Sequence, residues 1–341
     1  MESASHGLIL GKFLPPHLGH LRLVRAAMET VRRVTIVIGA LPTEPIPGRL
    51  RLEWMRELCP GARVELLDEP MPREPRDHPE FWELWTRALR RFVPSGLTHV
   101  FTSEDYGDEL AARLGARHVC VDRARADVPV SGTAIRKDPW GLGRYLPAVV
   151  RAHFVKRVVL TGAESTGKST LARQLAERFS TEWVPEFARG YLEARGRFVQ
   201  EGDLGPIAAG QIAAENEAAR RANRVLFVDT DLHATVIYGI HYLGRCPSWI
   251  ARLARRRTAD LRLLCAPDIP FEPDWQRPAP HRREFFHAWF RGRLEADGCA
   301  YTEVRGVGAG RLDGAAAEVA ARFAIDDPGS PRPGSRSPAG R

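Results

Sequence analysis

The chain has 341 residues, 44% of them hydrophobic and 27% charged, and a formal net charge of +8 at pH 7. That length exceeds one ordinary domain and indicates two, with the apolar content of a globular protein. No apolar run approaches the roughly 18–20 residues of a membrane helix, and the arginines are spread along the chain, which speaks against a dedicated nucleic-acid patch.

In chain order, short apolar runs alternate with helical patterns. Leu8–Leu10, Val34–Ile38, Val64–Leu67, His99–Phe101 and Val119–Val121 predict strands. Between them, His20–Arg32, Leu50–Cys59, Phe81–Phe92 and Tyr106–Leu114 predict helices. This rhythm predicts a parallel sheet covered on both faces. A second series follows. Arg157–Leu160, Val184, Val225–Val228 and Leu261–Cys265 predict strands, and Leu171–Phe179, Pro206–Ala222 and Ser248–Arg257 predict helices. The expected organisation is α/β in two domains, residues 1–146 and 147–326, joined within Leu146–Lys156 and packed together. The last stretch, 327–341, reads DPGSPRPGSRSPAGR and predicts a disordered tail. Gly7–Leu10 is too short for the apolar core of a signal peptide. Cys59, Cys120, Cys246, Cys265 and Cys299 form no Cys-x-x-Cys pair, so reduced thiols in a cytoplasmic protein are expected.

The first strand runs into GKFLPPHLGH. Gly19 between His17 and His20 permits close backbone approach to a phosphate, and the following helix aims its N-terminus at the same place. Imidazole N–H groups suit oxygens on which charge develops. Lys12 adds a mobile cation, flanked by Gly11 and Phe13. After the last strand of this half comes VPVSGTAIRKDP, where Ser131, Gly132 and Thr133 offer hydroxyls and close approach, and Arg136 a planar fork for phosphate. Together they predict a triphosphate site. The plain alternatives are a chance His pair beside a turn and an ordinary capped helix. Both stretches resemble the signatures of the nucleotidyltransferase superfamily, which implies direct attack of a substrate phosphate on the α-phosphorus of ATP and release of pyrophosphate.

GAESTGKST spans Gly162, Ala163, Glu164, Ser165, Thr166, Gly167, Lys168, Ser169 and Thr170. It matches G-x-x-x-x-G-K-[ST] between a strand and a helix. Loop amides cradle phosphates, Lys168 reaches the β/γ oxygens, and Ser169 with Asp229 of VLFVDTD is expected to hold Mg2+. In VPEFARGYL, Glu186 is a candidate to orient or deprotonate an acceptor hydroxyl and Arg189 to bind phosphate. Asp231 is a further substrate candidate. Arg277, Arg282 and Arg283 suggest lid cations, Arg277 foremost, against the alternative of a plain surface loop. Trp82 and Trp85 of FWELWTRAL are candidates to stack on a cationic pyridinium, against core packing.

The ordered set GKFLPPHLGH, TSEDYGDEL, HVCVDRARADVPVSGTAIRKDP, VKRVVLTGAESTGKSTLARQLA, PEFARGYL and VDTDLHATVIY resembles the bifunctional NadR-type family. The resemblance implies a Rossmann-like nicotinamide mononucleotide (NMN) adenylyltransferase followed by a P-loop ribosylnicotinamide kinase. Nicotinamide riboside, NMN, NAD and ATP are the implied ligands, with Mg2+ as cofactor. Gly190 and Thr102 depart from residues common in the family. Only Met1–His6 precedes the first strand, so no DNA binding through a helix-turn-helix is expected, and a homo-oligomer is left open. The alternatives are the same two chemistries on another phosphorylated vitamin precursor, or a nucleotide-binding sensor without turnover.

Overall fold

The computed structural model describes residues 5–93, 96–257, 259–272 and 282–329. The chain forms two compact units, Met1–Arg151 and Ala152–Arg341. The division falls inside the expected join but after residue 146, because Leu146 and Val150 are both buried and Val150 lies on a short helix.

In the first unit the order is β1 (His6–Gly11), α1 (Leu18–Thr30), β2 (Arg33–Gly39), α2 (Gly48–Leu58), β3 (Arg63–Leu67), α3 (Phe81–Arg90), β4 (His99–Thr102), α4 (Gly107–Leu114), β5 (Arg117–Cys120), α5 (Gly132–Lys137) and α6 (Ala148–Arg151). All strand pairs are parallel, in the order β3-β2-β1-β4-β5. Alternation divides the strands between two cores. Ile9, Ile36, Ile38 and Phe101 face α1 and α2, while Leu8, Val37 and Val100 meet Leu89 and Leu110 from α3 and α4. The strand order reverses between β1 and β4, and ligands of such sheets sit beyond the carboxyl ends at that switch point.

The second unit contains β6 (Lys156–Thr161), α7 (Lys168–Arg178), β7 (Trp183–Val184), α8 (Phe187–Glu193), α9 (Leu204–Arg221), β8 (Val225–Asp229), α10 (Leu232–Leu243), α11 (Ser248–Arg256), β9 (Leu261–Cys265), α12 (Arg283–Ala296), β10 (Thr302–Val304) and α13 (Gly308–Phe323). Its sheet is also parallel, β10-β9-β6-β8-β7, with β6 central. Val158, Leu160, Phe227 and Leu263 pack on α7 and α13, and Leu264 meets α10 and α12 on the other face.

The sequence pattern did not show α8, α10, α12, α13 or β10. In α10 the run LHATVIYGIHYL is apolar all round, so no amphipathic period marks it. Residues 327–329 of the expected tail are described. Arg178 donates from Nε and Nη2 to both carboxylate oxygens of Asp327, at 2.6 and 2.7 Å. A bidentate ion pair supplies the anchor that the missing apolar residues could not. Residues 330–341 lie outside the described residues. No described helix is long and apolar enough to cross a membrane.

Candidate active sites

The first site lies at the carboxyl end of β1. Gly11 closes the strand, and the ring of Phe13 lies where a Cβ on Gly11 would come within 3.1 Å. Phe13 is buried in a left-handed turn, φ 47°, with its ring 4.8 Å from that of His20. The His17 and His20 rings are 3.8 Å apart. A side chain at Gly19 would approach the His17 ring to 3.0 Å, so glycine keeps this pair in place. His20 Nδ1 accepts the backbone N–H of His17 at 3.3 Å. The neutral His20 ring therefore carries its proton on Nε2, a donor for a phosphoryl oxygen. The His17 side chain folds back over the first turn of α1 in a capping-box arrangement with His20, which leaves its Nε2 as the ring nitrogen for a ligand.

The Ser131–Arg136 stretch is brought to the same place. Ser131 caps α5 by accepting the Ala134 N–H at 3.1 Å. Arg136 donates to the Leu14 carbonyl and, at 3.2 Å, to Thr133. The same Leu14 carbonyl occupies the space a Cβ on Gly132 would need. The two motifs, over a hundred residues apart in the chain, thus touch through backbone.

Three features were not chosen from sequence. Arg125, in the loop after β5, bears electrostatically on both histidines. Burial first, then Arg125, lowers His17 to about 4. Burial, His17 and Arg125 together hold His20 well below the usual imidazole range. The other two are Arg51 of α2 and Glu44. Arg51 is fully buried and donates to the Lys12 carbonyl at 2.5 Å and to Glu44 at 2.7 Å. Glu44 also stands 3.9 Å from Lys12 Nζ and accepts the Leu41 N–H at 3.1 Å. This pair fixes the loop that carries Lys12. Its residues read as ordinary surface charges in sequence, and only the fold reveals them.

Two predictions arise here. Glu44→Ala leaves the Arg51 guanidinium buried without its carboxylate, which costs about 3–5 kcal/mol. Urea unfolding followed by a first-unit signal should show that loss, with Arg51→Met milder because Glu44 keeps the Leu41 N–H at 3.1 Å and Lys12 Nζ at 3.9 Å. The second concerns pH. Native His17 stays neutral down to about 4, whereas the unfolded imidazole takes a proton near 6.5. The unfolded state binds more protons in this window, so stability falls as pH drops from 6.5 to 4. A His17→Asn variant should show a shallower fall in melting temperature over that window, and an identical slope would contradict the assignment.

The second site surrounds the loop between β6 and α7. Gly162 has φ 128°, and a Cβ there would lie 2.8 Å from the Cys265 carbonyl oxygen. Gly167, φ 73°, precedes the first residue of α7. Lys168 is buried and its Nζ donates back across the loop to the Ala163 carbonyl at 2.7 Å. Thr166 donates to the same carbonyl at 2.8 Å. Ser169 donates to the Asp229 carboxylate, and Thr170 follows on the exposed side of α7. Glu164 accepts the Tyr242 hydroxyl at 2.9 Å.

Beside the loop opens a cavity of about 240 Å³. Lys168 and Glu164 line one part of it, and Glu186, Arg189, Thr230 and Asp231 another. Glu186 precedes α8, and Asp231 caps α10. Two arginines brace the loop. Arg283 donates to Ile269 O at 3.0 Å and Ser165 O at 2.9 Å. Buried Arg311 donates to Thr166 O at 3.0 Å and Asp268 at 2.6 Å. Arg311 carried no signal in sequence.

With both sites in view, known proteins can be compared. The AAA domain family matches residues 157–311. The trifunctional NAD biosynthesis/regulator protein NadR of Escherichia coli K12 is 30% identical over 307 residues, spanning 82% of this chain and 74% of that protein. The chain belongs to the NadR family. NadR of Salmonella typhimurium LT2 is likewise 30% identical, over 80% of this chain and 71% of that protein. Among solved structures, a NadR protein in complex with NR matches with TM-score 0.75 and 23% identity, over 95% of this chain and 97% of that one. A NadR protein in complex with NAD and AMP-PNP matches at 0.74, with the same identity and coverage. At that identity the structural likeness is one of fold.

In this NadR family member the remaining candidate residues are placed as follows. Asp231 reaches the cavity wall, but its carboxylate is already committed. It accepts the His233 N–H at 2.9 Å and lies 3.3 Å from Arg262. Burial alone would raise its pKa, yet His233 and Arg262 hold it below the ordinary value. Asp231 thus caps α10 and also lines the cavity. Arg283, expected as a lid cation, is spent on backbone carbonyls. Arg282 lies 3.4 Å from His241 Nε2, with its guanidinium 5.4 Å from the Phe285 ring centre. Arg189 pairs with Glu193 at 3.0 Å on α8 while still lining the cavity. Arg277 lies outside the described residues. Trp82 packs against Phe81 and Arg113 in the core. Trp85 differs: its indole donates to Pro72 O at 3.0 Å, and its ring edge reaches Gly39 at the carboxyl end of β2.

Proposed function

We propose that this chain makes NAD in two ATP-consuming steps, each on its own sheet. The observation that carries this reading is the phosphate loop with Lys168 and Glu186 in the wall of one cavity, on a chain that also holds the packed His17–His20 pair at the β1/β4 switch point. Membership of the NadR family supports it, as do the NR, NAD and AMP-PNP bound by the matching NadR structures.

In the second unit the 5′-hydroxyl of nicotinamide riboside attacks the γ-phosphorus of ATP. The bond to the β-phosphate breaks and ADP leaves. Lys168 and the loop amides hold the β/γ oxygens, and Glu186 orients the hydroxyl and takes its proton. Arg189 serves as a second cation toward phosphate. Ser169 and Asp229 present a hydroxyl and a carboxylate in contact. Such hard oxygen donors suit Mg2+, which binds through few protein ligands plus phosphates and screens their charge.

In the first unit a phosphate oxygen of NMN attacks the α-phosphorus of a second ATP. The α–β bond breaks and pyrophosphate leaves. His17, His20, Lys12 and Arg136 stabilise the charge that develops, with Ser131, Gly132 and Thr133 positioning the phosphates. Trp85 is the better placed of the two tryptophans for the nicotinamide ring. No covalent enzyme intermediate is required.

The test is direct. Purified protein with Mg-ATP and nicotinamide riboside should yield NMN and then NAD by chromatography. If neither forms while another vitamin precursor is turned over, the substrate assignment is wrong.

A further inference from the structure

The second unit contains another cavity of about 240 Å³ that the two chemistries leave unused. Its wall includes Arg157 and Val159 of β6, Glu215 of α9, and Arg256 and Arg257 at the end of α11. It has only Asp231 in common with the cavity beside the phosphate loop. Three guanidinium groups thus meet two carboxylates.

The pairing within it is incomplete. Arg257 donates to Glu215 at 2.9 Å and lies 3.4 Å from the Asn216 amide oxygen. Arg157 Nε is buried with no hydrogen-bond partner among the described residues. Burial and the neighbouring Arg257 both depress the Arg157 pKa, with partial relief from Glu215 and Asp260. A desolvated cation beside a second cation costs free energy that a counter-ion would relieve. Glu215 supplies one carboxylate, already engaged by Arg257, and burial raises its own pKa.

We propose that this cavity binds a small phosphate-type oxyanion through Arg157 and Arg256, with Arg257 held alongside by Glu215. Planar guanidinium forks match the oxygens of a phosphoryl group. The apolar part of the described lining is Val159, Leu232 and Ala259, with no aromatic ring to stack on a base, which favours phosphate or pyrophosphate over a nucleotide.

Both nucleotide sites also attract pyrophosphate, so the test keeps them filled. Calorimetric titration of the full chain with pyrophosphate, in saturating AMP-PNP at fixed free magnesium, should still show binding. Arg157→Gln should weaken it at least tenfold and Arg256→Gln measurably, with AMP-PNP affinity unchanged as the check on folding. Inorganic phosphate as titrant separates the sources: tighter pyrophosphate assigns the diphosphate, and equal affinity assigns a single phosphoryl group. Loss of pyrophosphate binding once AMP-PNP saturates, or wild-type affinity in both variants, would overturn the proposal.

Discussion

Lys168→Ala is expected to slow phosphorylation of nicotinamide riboside on the order of 10³-fold, while adenylylation of supplied NMN continues at the wild-type rate. Removing a single preorganised donor from a developing anion costs roughly 10²–10³-fold, and this one is buried beside the loop. The substitution strands no counter-ion, because the Nζ donates to a neutral carbonyl, that of Ala163. Circular dichroism should therefore match the wild type. Loss of both activities in a folded variant would show that the two units do not work separately.

His20→Ala is expected to do the reverse. Its Nδ1 is used on the His17 backbone, which leaves Nε2–H as the donor for phosphate. Loss of that donor should lower adenylylation by roughly 10²–10³-fold, and NMN should accumulate from nicotinamide riboside. His20→Gln retains a donor of similar reach and should recover part of the rate. Equal loss in both variants would point to packing against Phe13 as the role of His20. A wild-type rate in His20→Ala would remove it from the chemistry.

What the sequence revealed was local chemistry. GKFLPPHLGH, SGTAIR and GAESTGKST each carry function within about ten residues, beside a strand end, so they could be read before any fold was known. The short apolar runs marked both sheets for the same reason. Long-range arginines could not be read in this way. Arg51, Arg283 and Arg311 act through backbone carbonyls distant in sequence, and an arginine that will brace a loop looks the same as one on a solvated helix face. Arg283 shows this: a stretch rich in Pro and charge suggested a lid, and in the fold Arg283 bonds the Ile269 and Ser165 carbonyls. The cap that Asp231 places on α10 was likewise not legible, because a carboxylate after a strand looks the same whether or not it caps a helix. The apolar helix α10 escaped because uniform hydrophobicity has no period.

Mixing the two variants tests the central claim most directly. Lys168→Ala and His20→Ala, each alone with Mg-ATP and nicotinamide riboside, should make almost no NAD. Combined in one vessel, they should make it, since NMN released by the His20→Ala chain reaches the intact first site of the Lys168→Ala chain. Failure of the mixture, with each variant folded and each retaining its remaining activity, would contradict two independent consecutive sites. So would NAD formation from nicotinamide riboside by either variant alone at the wild-type rate.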